Sequence, residues 1–145
     1  MMVMVPGEGY GSVPDGVRGK RVLIWTCNTC ARLCGVGGGE RAEETAAMLA
    51  SENVDVAGTE TASAACFMSK ALERLGGRSD YDVVMALCCD LGAGCAAKAS
   101  GRPVINPVDT LGVGYLDEDG APRLVRRARR RMYKIGSYYT ARRYQ

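Results

Sequence analysis

An α/β fold with a mostly parallel sheet is the class that this sequence of 145 residues predicts. Two observations predict it. Short apolar segments rich in branched side chains alternate with segments of helical periodicity, and the most apolar segments have almost no polar residue on either face. Strands of that kind are buried on both faces by crossover helices. We therefore expect a small Rossmann-like three-layer domain over residues 19–120, flanked by an N-terminal arm (1–18) and a basic C-terminal tail (121–145).

The predicted elements follow one another in a regular order. Residues 22–25 form the first strand, and residues 39–53 form a helix with Ala42, Ala46, Leu49 and Ala50 on one face. The pattern then recurs with strands in "VDVAGT", "YDVVMALCC" and "RPVINP", and with helices in "ACFMSKALERLG" and "GAGCAAKAS". The Gly- and Pro-rich arm is expected to be extended and to lie outside the core.

The predicted topology also places the cysteines. Loops at the carboxyl ends of parallel strands share one edge of the sheet, where ligands usually bind. Cysteines lie at the ends of the first three predicted strands. Cys27, Cys30 and Cys34 follow the first, Cys66 opens the helix after the second, and Cys88 and Cys89 end the third with Cys95 just beyond it. We therefore expect thiols that are distant in sequence to converge on one site.

The redox state of the compartment in which the protein resides determines how these thiols are interpreted. The N-terminal residues have no basic region, sustained apolar run or small-residue cleavage site, and charge or glycine interrupts every apolar run, so we expect a cytoplasmic protein without a membrane span. Clustered cysteines in a reducing compartment indicate metal binding or redox chemistry rather than disulfides. The chain contains no histidine, so any metal must be held mainly by sulfur.

Three chemistries fit the segment "CNTCARLCGVGGGE". A dithiol redox motif is disfavoured because the glycine run would interrupt its helix. Structural zinc needs four thiolates, and so does a 4Fe-4S cluster. The glycines favour the cluster, since Gly35, Gly37 and Gly38 can wrap closely around it and direct amides at its sulfides. A phosphate loop is disfavoured because Glu40 would repel phosphate.

Three further cysteines have competing interpretations. Cys88, on the apolar strand, is predicted to be a core residue, while Cys95 fits a core residue and a ligand equally well. Cys89 points opposite to Cys88 by strand alternation, so it is the better ligand candidate from the third strand.

The tail carries the opposite charge from the rest of the chain. Residues 121–145 contain eight Arg and one Lys without an acid, whereas residues 1–120 have ten bases and sixteen acids. An apolar stripe at helical spacing (Leu124, Ala128, Met132, Ile135) predicts a basic docking helix. The arginines and tyrosines also fit nucleic acid, and a loosely held solvated tail is a third interpretation. Docking to a protein is favoured because the body lacks a basic signal. The candidate docking residues are Arg126, Arg127, Arg130 and Arg131.

Residues 20–120 resemble the methylenetetrahydrofolate reductase C-terminal family, the MetV-type iron-sulfur proteins. The resemblance lies in "CNTCARLCGVGG", in the isolated cysteine of "ACF", and in "ALCCDLGAG" followed by "RPVINPVDTLGVG". It implies that Cys27, Cys30, Cys34, Cys66 and Cys89 occupy the family's ligand-type positions, one more than a single cluster needs. In place of the family's second cysteine-rich segment this chain has its basic tail.

The resemblance implies a function in one-carbon metabolism. MetV-type proteins work beside a flavin-containing reductase, to which they are thought to deliver electrons. The leading hypothesis is therefore an accessory subunit without substrate chemistry of its own, which binds one 4Fe-4S cluster and docks onto a larger redox enzyme in a heteromeric complex. The alternatives are a structural zinc-binding or architectural subunit and a dithiol oxidoreductase.

Overall fold

Four parallel strands form the centre of the molecule in a computed structural model, which describes residues 1–128 and 138–139. The α/β class is as predicted. The strand order is β3-β2-β4-β5, and β8 adds to β5 antiparallel. In chain order the elements are β1 (Met2–Pro6), a 3-10 turn (Asp15–Val17), β2 (Arg21–Cys27), α1 (Cys30–Leu33), α2 (Gly39–Ser51), β3 (Asp55–Ala62), α3 (Met68–Leu75), β4 (Val83–Leu87), α4 (Asp90–Ser100), β5 (Val104–Ile105), β6 (Val108–Leu116), β7 (Pro122–Arg127) and β8 (Tyr138–Tyr139).

Helices cover both faces of the parallel sheet. Alternate residues of β2 belong to two separate cores, as strand geometry requires. Leu23 and Trp25 pack with the residues of α3 and α4, whereas Val22 and Ile24 pack with those of α2. Every residue of β4 is buried. These contacts explain why the strands in the middle of the sheet read as continuous apolar runs.

The strand order creates a switch point between β2 and β4. The chain leaves β2 to form β3 on one side and later returns to form β4 on the other. Crossovers that depart in opposite directions leave a crevice at the carboxyl ends of these two strands. At their amino ends, the Arg21 amide and guanidinium donate to the Asp82 carboxylate at 2.9 and 3.1 Å, which joins β2 to the residue preceding β4.

A second sheet corrects the prediction for the N-terminal arm. Residues 2–6 pair antiparallel with β6, and Met4 and Val17 are buried in the two cores rather than lying outside them. The arm therefore belongs to the folded domain. The sequence prediction failed because the partner strand, β6, lies about a hundred residues away.

The start of the basic tail is a strand and not the predicted helix. Pro122–Arg127 pairs antiparallel with β6 after a turn in which Gly120 donates to the Asp117 carbonyl at 2.9 Å. The dipeptide Asp119-Gly120 is a hairpin signal that outweighs the helical spacing of Leu124 and Ala128. Met132 and Ile135 lie outside the described residues.

No helix in the described part of the chain is long and apolar enough to cross a membrane.

Candidate metal centre

Four cysteines line one small cavity at the carboxyl edge of the sheet. The cavity has a volume of about 110 Å³, and its thiols come from three separate strand-to-helix connections. Cys27 ends β2, Cys30 begins α1, Cys66 lies in the turn before α3, and Cys89 immediately precedes α4. The remaining wall is mostly apolar: Met2, Met4, Thr29, Ala31, Ala64, Ala65 and Leu91. The convergence expected from parallel topology is therefore present for these four thiols.

The connection after β2 is fastened to the end of β3. The Asn28 amide donates to the Ala62 carbonyl at 2.8 Å, and the Thr29 hydroxyl donates to the carbonyl of Ser63. The Thr29 amide donates to the Cys27 sulfur at 3.4 Å. These bonds hold Cys27 and Cys30 against the turn that carries Cys66.

Cys89 lies at the amino end of α4, deep in the cavity. Burial raises the pKa of its thiol to about 11, although the amides of Leu91 and Gly92, which point at the sulfur, oppose this rise. The thiol is therefore protonated near neutral pH in the metal-free chain. A metal bound there would have to displace this proton.

Two buried polar side chains, Thr26 and Asn106, hold the strand ends in place. Neither is among the residues predicted to be functional. Thr26 donates to the Leu87 carbonyl at 2.8 Å, which joins β2 to β4 at the switch point. Asn106 donates to the Cys88 carbonyl at 2.9 Å and accepts from the Val108 amide. Both side chains are fully buried. Their signal in the sequence is a polar residue inside or directly after an apolar strand.

The other three cysteines lie outside the cavity. Cys34 is half-buried against β1, where its thiol donates to the Met2 carbonyl at 3.6 Å and burial raises its pKa. Cys88 is fully buried in the core, which raises its pKa well above the ordinary value. Cys95 is half-buried in α4, and its thiol donates to the Cys66 carbonyl at 3.4 Å. Of the five candidate ligands, Cys34 alone is not in the cavity wall.

The four cysteines of the cavity are not arranged as a preformed metal site. Among the described residues, no three side chains of Cys, Asp or Glu come together in a way that would hold a metal ion. The four cysteines therefore share a cavity without forming a ready tetrahedral site for one ion.

The backbone amides of the glycine loop, residues 35–39, donate to groups of the protein itself. Val36 and Gly37 donate to the Ala31 carbonyl, Gly38 to Thr26 Oγ1 at 2.8 Å, and Gly39 to Asn28 Oδ1 at 2.9 Å. Gly35, Gly37 and Gly38 line a neighbouring cavity of about 400 Å³ together with Arg32 and Arg41, and they are not in the wall of the cysteine cavity. That they contact a cofactor stays a prediction.

The predicted docking arginines are only partly in view. Arg126 and Arg127 are exposed on β7, whereas Arg130 and Arg131 lie outside the described residues. Exposed apolar side chains accompany them on this sheet, including Val113, Tyr115 and Val125.

Comparisons with protein-family models, with curated proteins and with solved structures find no match to this chain.

Proposed function

We propose that this chain is a cytoplasmic iron-sulfur accessory subunit that binds one 4Fe-4S cluster and exchanges electrons with a larger redox enzyme. The observation that carries the proposal is the cavity lined by Cys27, Cys30, Cys66 and Cys89. The strand order, with its switch point, fits a Rossmann-like ancestry for the domain. The sequence resemblance to MetV-type proteins supports the same assignment.

The donor set fits a cluster better than a single ion. Four thiolates are the usual ligands of a 4Fe-4S cluster, and each binds a different iron, so the sulfurs need not meet around one point. The apolar wall supplied by Met2, Met4 and Leu91 would exclude water from such a group.

The chain itself would contribute ligation, burial and one open side. Cys27 and Cys89 are only 7 % and 8 % exposed, so they would hold the inner part of the group, while the exposed Cys66 marks the side nearest to solvent. A bound 4Fe-4S cluster would supply one-electron transfer. The exposed side chains of Phe67 and Leu91 beside this opening are suited to contact with another protein.

Metal analysis of anaerobically purified protein tests the proposal. We expect about four irons and four sulfides per chain, with a broad visible absorption that bleaches on reduction. Cys30→Ser should lose this absorption, because it removes a thiolate from the cavity wall. Cys95→Ser is the matched control, since Cys95 lies outside the wall, and it should keep its iron. Full iron content in Cys30→Ser, or stoichiometric zinc without colour in the unaltered chain, would refute the cluster.

The partner in this proposal is a larger redox enzyme, in the first place a methylenetetrahydrofolate reductase-type flavoprotein, bound through Arg126, Arg127, Arg130 and Arg131. Its support is the resemblance, the basic tail and the exposure of Arg126 and Arg127. Such a partner should present acidic residues at the contact.

Charge reversal on β7 tests the docking proposal. We expect Arg126→Glu/Arg127→Glu to reduce capture of the flavoprotein from native-cell lysate by about tenfold or more, since like charges then face each other. Bound flavin absorbance measures capture. Arg18→Glu/Lys20→Glu alters the net charge equally at an exposed site elsewhere and should bind normally. Equal capture by both variants would rule out docking through β7.

A further inference from the structure

A second arrangement of thiols lies beside the cysteine cavity. Cys95 projects from α4 and donates its S–H to the backbone carbonyl of Cys66, with a sulfur-to-oxygen distance of 3.4 Å. The helices α3 and α4 pack against each other, which fixes the turn carrying Cys66 beside α4. Cys66 is exposed and Cys95 is half-buried, so both thiols can meet a small molecule in solution.

The two cysteines are close enough to be joined. The carbonyl oxygen and the Cα atom of one residue are about 2.4 Å apart, so the Cys95 sulfur lies within about 6 Å of the Cys66 Cα atom. A disulfide requires Cα atoms about 4.4–6.8 Å apart. The Cα atom of Cys95 is about 2.8 Å from its own sulfur, so the two Cα atoms are at most about 9 Å apart. Rotation of the exposed Cys66 side chain and movement of its turn toward α4 would bring the sulfurs into bonding distance.

Three of the other cysteines, Cys27, Cys88 and Cys89, are poorer partners for Cys66. Cys88 is fully buried, and its sulfur packs so closely on Gly92 that a methyl group added there would be 2.8 Å away. Cys27 and Cys89 are more than nine-tenths buried at the inner part of the cavity. A dissolved oxidant therefore reaches Cys66 and Cys95 more easily than these three thiols.

We propose that Cys66 and Cys95 form an intramolecular disulfide when the metal-free chain meets a low-molecular-weight disulfide such as oxidised glutathione. The Cys66 thiol loses its proton to solvent, and its thiolate attacks one sulfur of the oxidant and displaces one glutathione thiolate. Cys95 then loses its proton to solvent, attacks the Cys66 sulfur of the mixed disulfide and expels the second glutathione thiolate. Two protein thiols are oxidised, and one small disulfide is reduced to two thiols.

The disulfide would bear directly on metal loading. Because Cys66 is also in the wall of the cysteine cavity, its oxidation removes one of the four thiolates proposed to hold the cluster. This consequence rests on the proposed function, whereas formation of the disulfide does not. An oxidised chain should take up iron and sulfide only after reduction, which makes the pair a reversible block on cluster assembly.

Peptide mapping of the full-length chain tests the pairing. The metal-free protein is incubated with oxidised glutathione, alkylated and digested with trypsin without reduction. Cys66 then lies in peptide 42–70, and Cys95 lies in peptide 79–98 together with Cys88 and Cys89. We expect these two peptides to be disulfide-linked and fragmentation to place the bond on Cys95. A bond on Cys89, a link from peptide 42–70 to peptide 22–32, which carries Cys27 and Cys30, or a glutathione adduct on Cys66 that never resolves would overturn the proposal.

Two variants sharpen the result. Cys95→Ser should abolish the link between the two peptides, whereas Cys88→Ala removes a cysteine of the same peptide and should retain it. A link that persists in Cys95→Ser would refute the pairing. The mapping of the unaltered chain needs no variant, so it stands even if one of them folds poorly.

The same variants separate this proposal from the cluster. Cys95→Ser should keep its iron and lose the disulfide, and Cys30→Ser should lose its iron and keep the disulfide. If the unaltered chain never binds iron, the mapped disulfide still decides the pairing. If the chain binds iron but no link to Cys95 forms, only the pairing fails.

Discussion

At Gly37 the loop backbone packs directly against the ends of β2 and β4. A Cβ atom added there would be 2.3 Å from the Leu87 carbonyl oxygen and 2.7 Å from both Thr26 Oγ1 and Ala31 Cβ. Two of these neighbours belong to strands β2 and β4 and cannot move away easily. The glycine therefore lets the loop pack directly over the ends of these strands.

Gly37→Ala should destabilise the fold by about 2 kcal/mol or more, because the methyl group overlaps strand backbone. Urea unfolding of the metal-free protein measures the free energy. The matched control is Gly39→Ala at the start of α2, where the nearest atom would be 3.9 Å away. That change should be neutral or stabilising by about 0.5 kcal/mol. Equal stability of the two variants would contradict the close packing described for Gly37.

The sequence could identify the glycine run but not the direction of its amides. A run of glycines permits many backbone conformations, so contacts with distant groups select one of them. Here the contacts that select it are Thr26 Oγ1, Asn28 Oδ1 and the Ala31 carbonyl. None of these contacts follows from local periodicity. A glycine loop that faces a cofactor and one that packs on strand ends therefore have the same sequence pattern.

The elements of the parallel sheet could be predicted well, because each has a strong local pattern. Apolar runs and helical spacing alone predict the strands at residues 22–25 and 81–89 and the helix at 39–53. The sequence patterns do not predict the outer strands of the second sheet, β1 and β7. The residues of β1 and β6 that pair are separated by most of the chain. The apolar spacing in β7 is typical of a helix, and only the Asp119-Gly120 turn before it indicates a strand.

Strand β1 offers a direct test of its place in the core. Met4 is 3 % exposed and Val5, its neighbour on the opposite face, is 38 % exposed. Met4→Ala should lower the free energy of unfolding by about 2–4 kcal/mol through the cavity it leaves. Val5→Ala should change it by no more than about 0.5 kcal/mol. Urea titrations of both variants measure this, and a similar small effect of each would mean that β1 contributes little to the core.

At the scale of the whole molecule, the convergence of cysteines could be predicted from topology, and their final grouping could not. Parallel strands place their carboxyl ends at one edge, which places Cys27, Cys66 and Cys89 around one cavity. That Cys34 turns toward β1 depends on the second sheet, which the sequence analysis did not foresee. The metal itself stays a prediction.

The opposite edge of the sheet supplies a pH dependence. Hydrogen bonds from Arg21 lower the pKa of Asp82 to about 2, below the unfolded value of about 3.9. A carboxyl whose pKa is lower in the folded state stabilises the fold above the unfolded pKa, and this contribution is lost as pH falls from about 4 toward 2. Stability should therefore decline over this acid range.

Asp82→Asn isolates this contribution. The variant should unfold at a lower urea concentration than the unaltered protein at neutral pH, and the two should approach each other as pH falls from about 4 to 2. Glu52→Gln, an exposed acid at the end of α2, is the control for loss of one charge. A difference between Asp82→Asn and the unaltered protein that stays constant with pH would contradict the stabilising bond to Arg21.

The pairing of β1 with β6 sets an order of events during synthesis. Met2 and Met4 form one wall of the cysteine cavity, yet the strand that holds them there is residues 108–116. Until the ribosome has released that segment, β1 has no partner and the cavity lacks this wall. The thiols of the growing chain therefore stay accessible from that side even after all four parallel strands have been synthesised, until β6 pairs with β1.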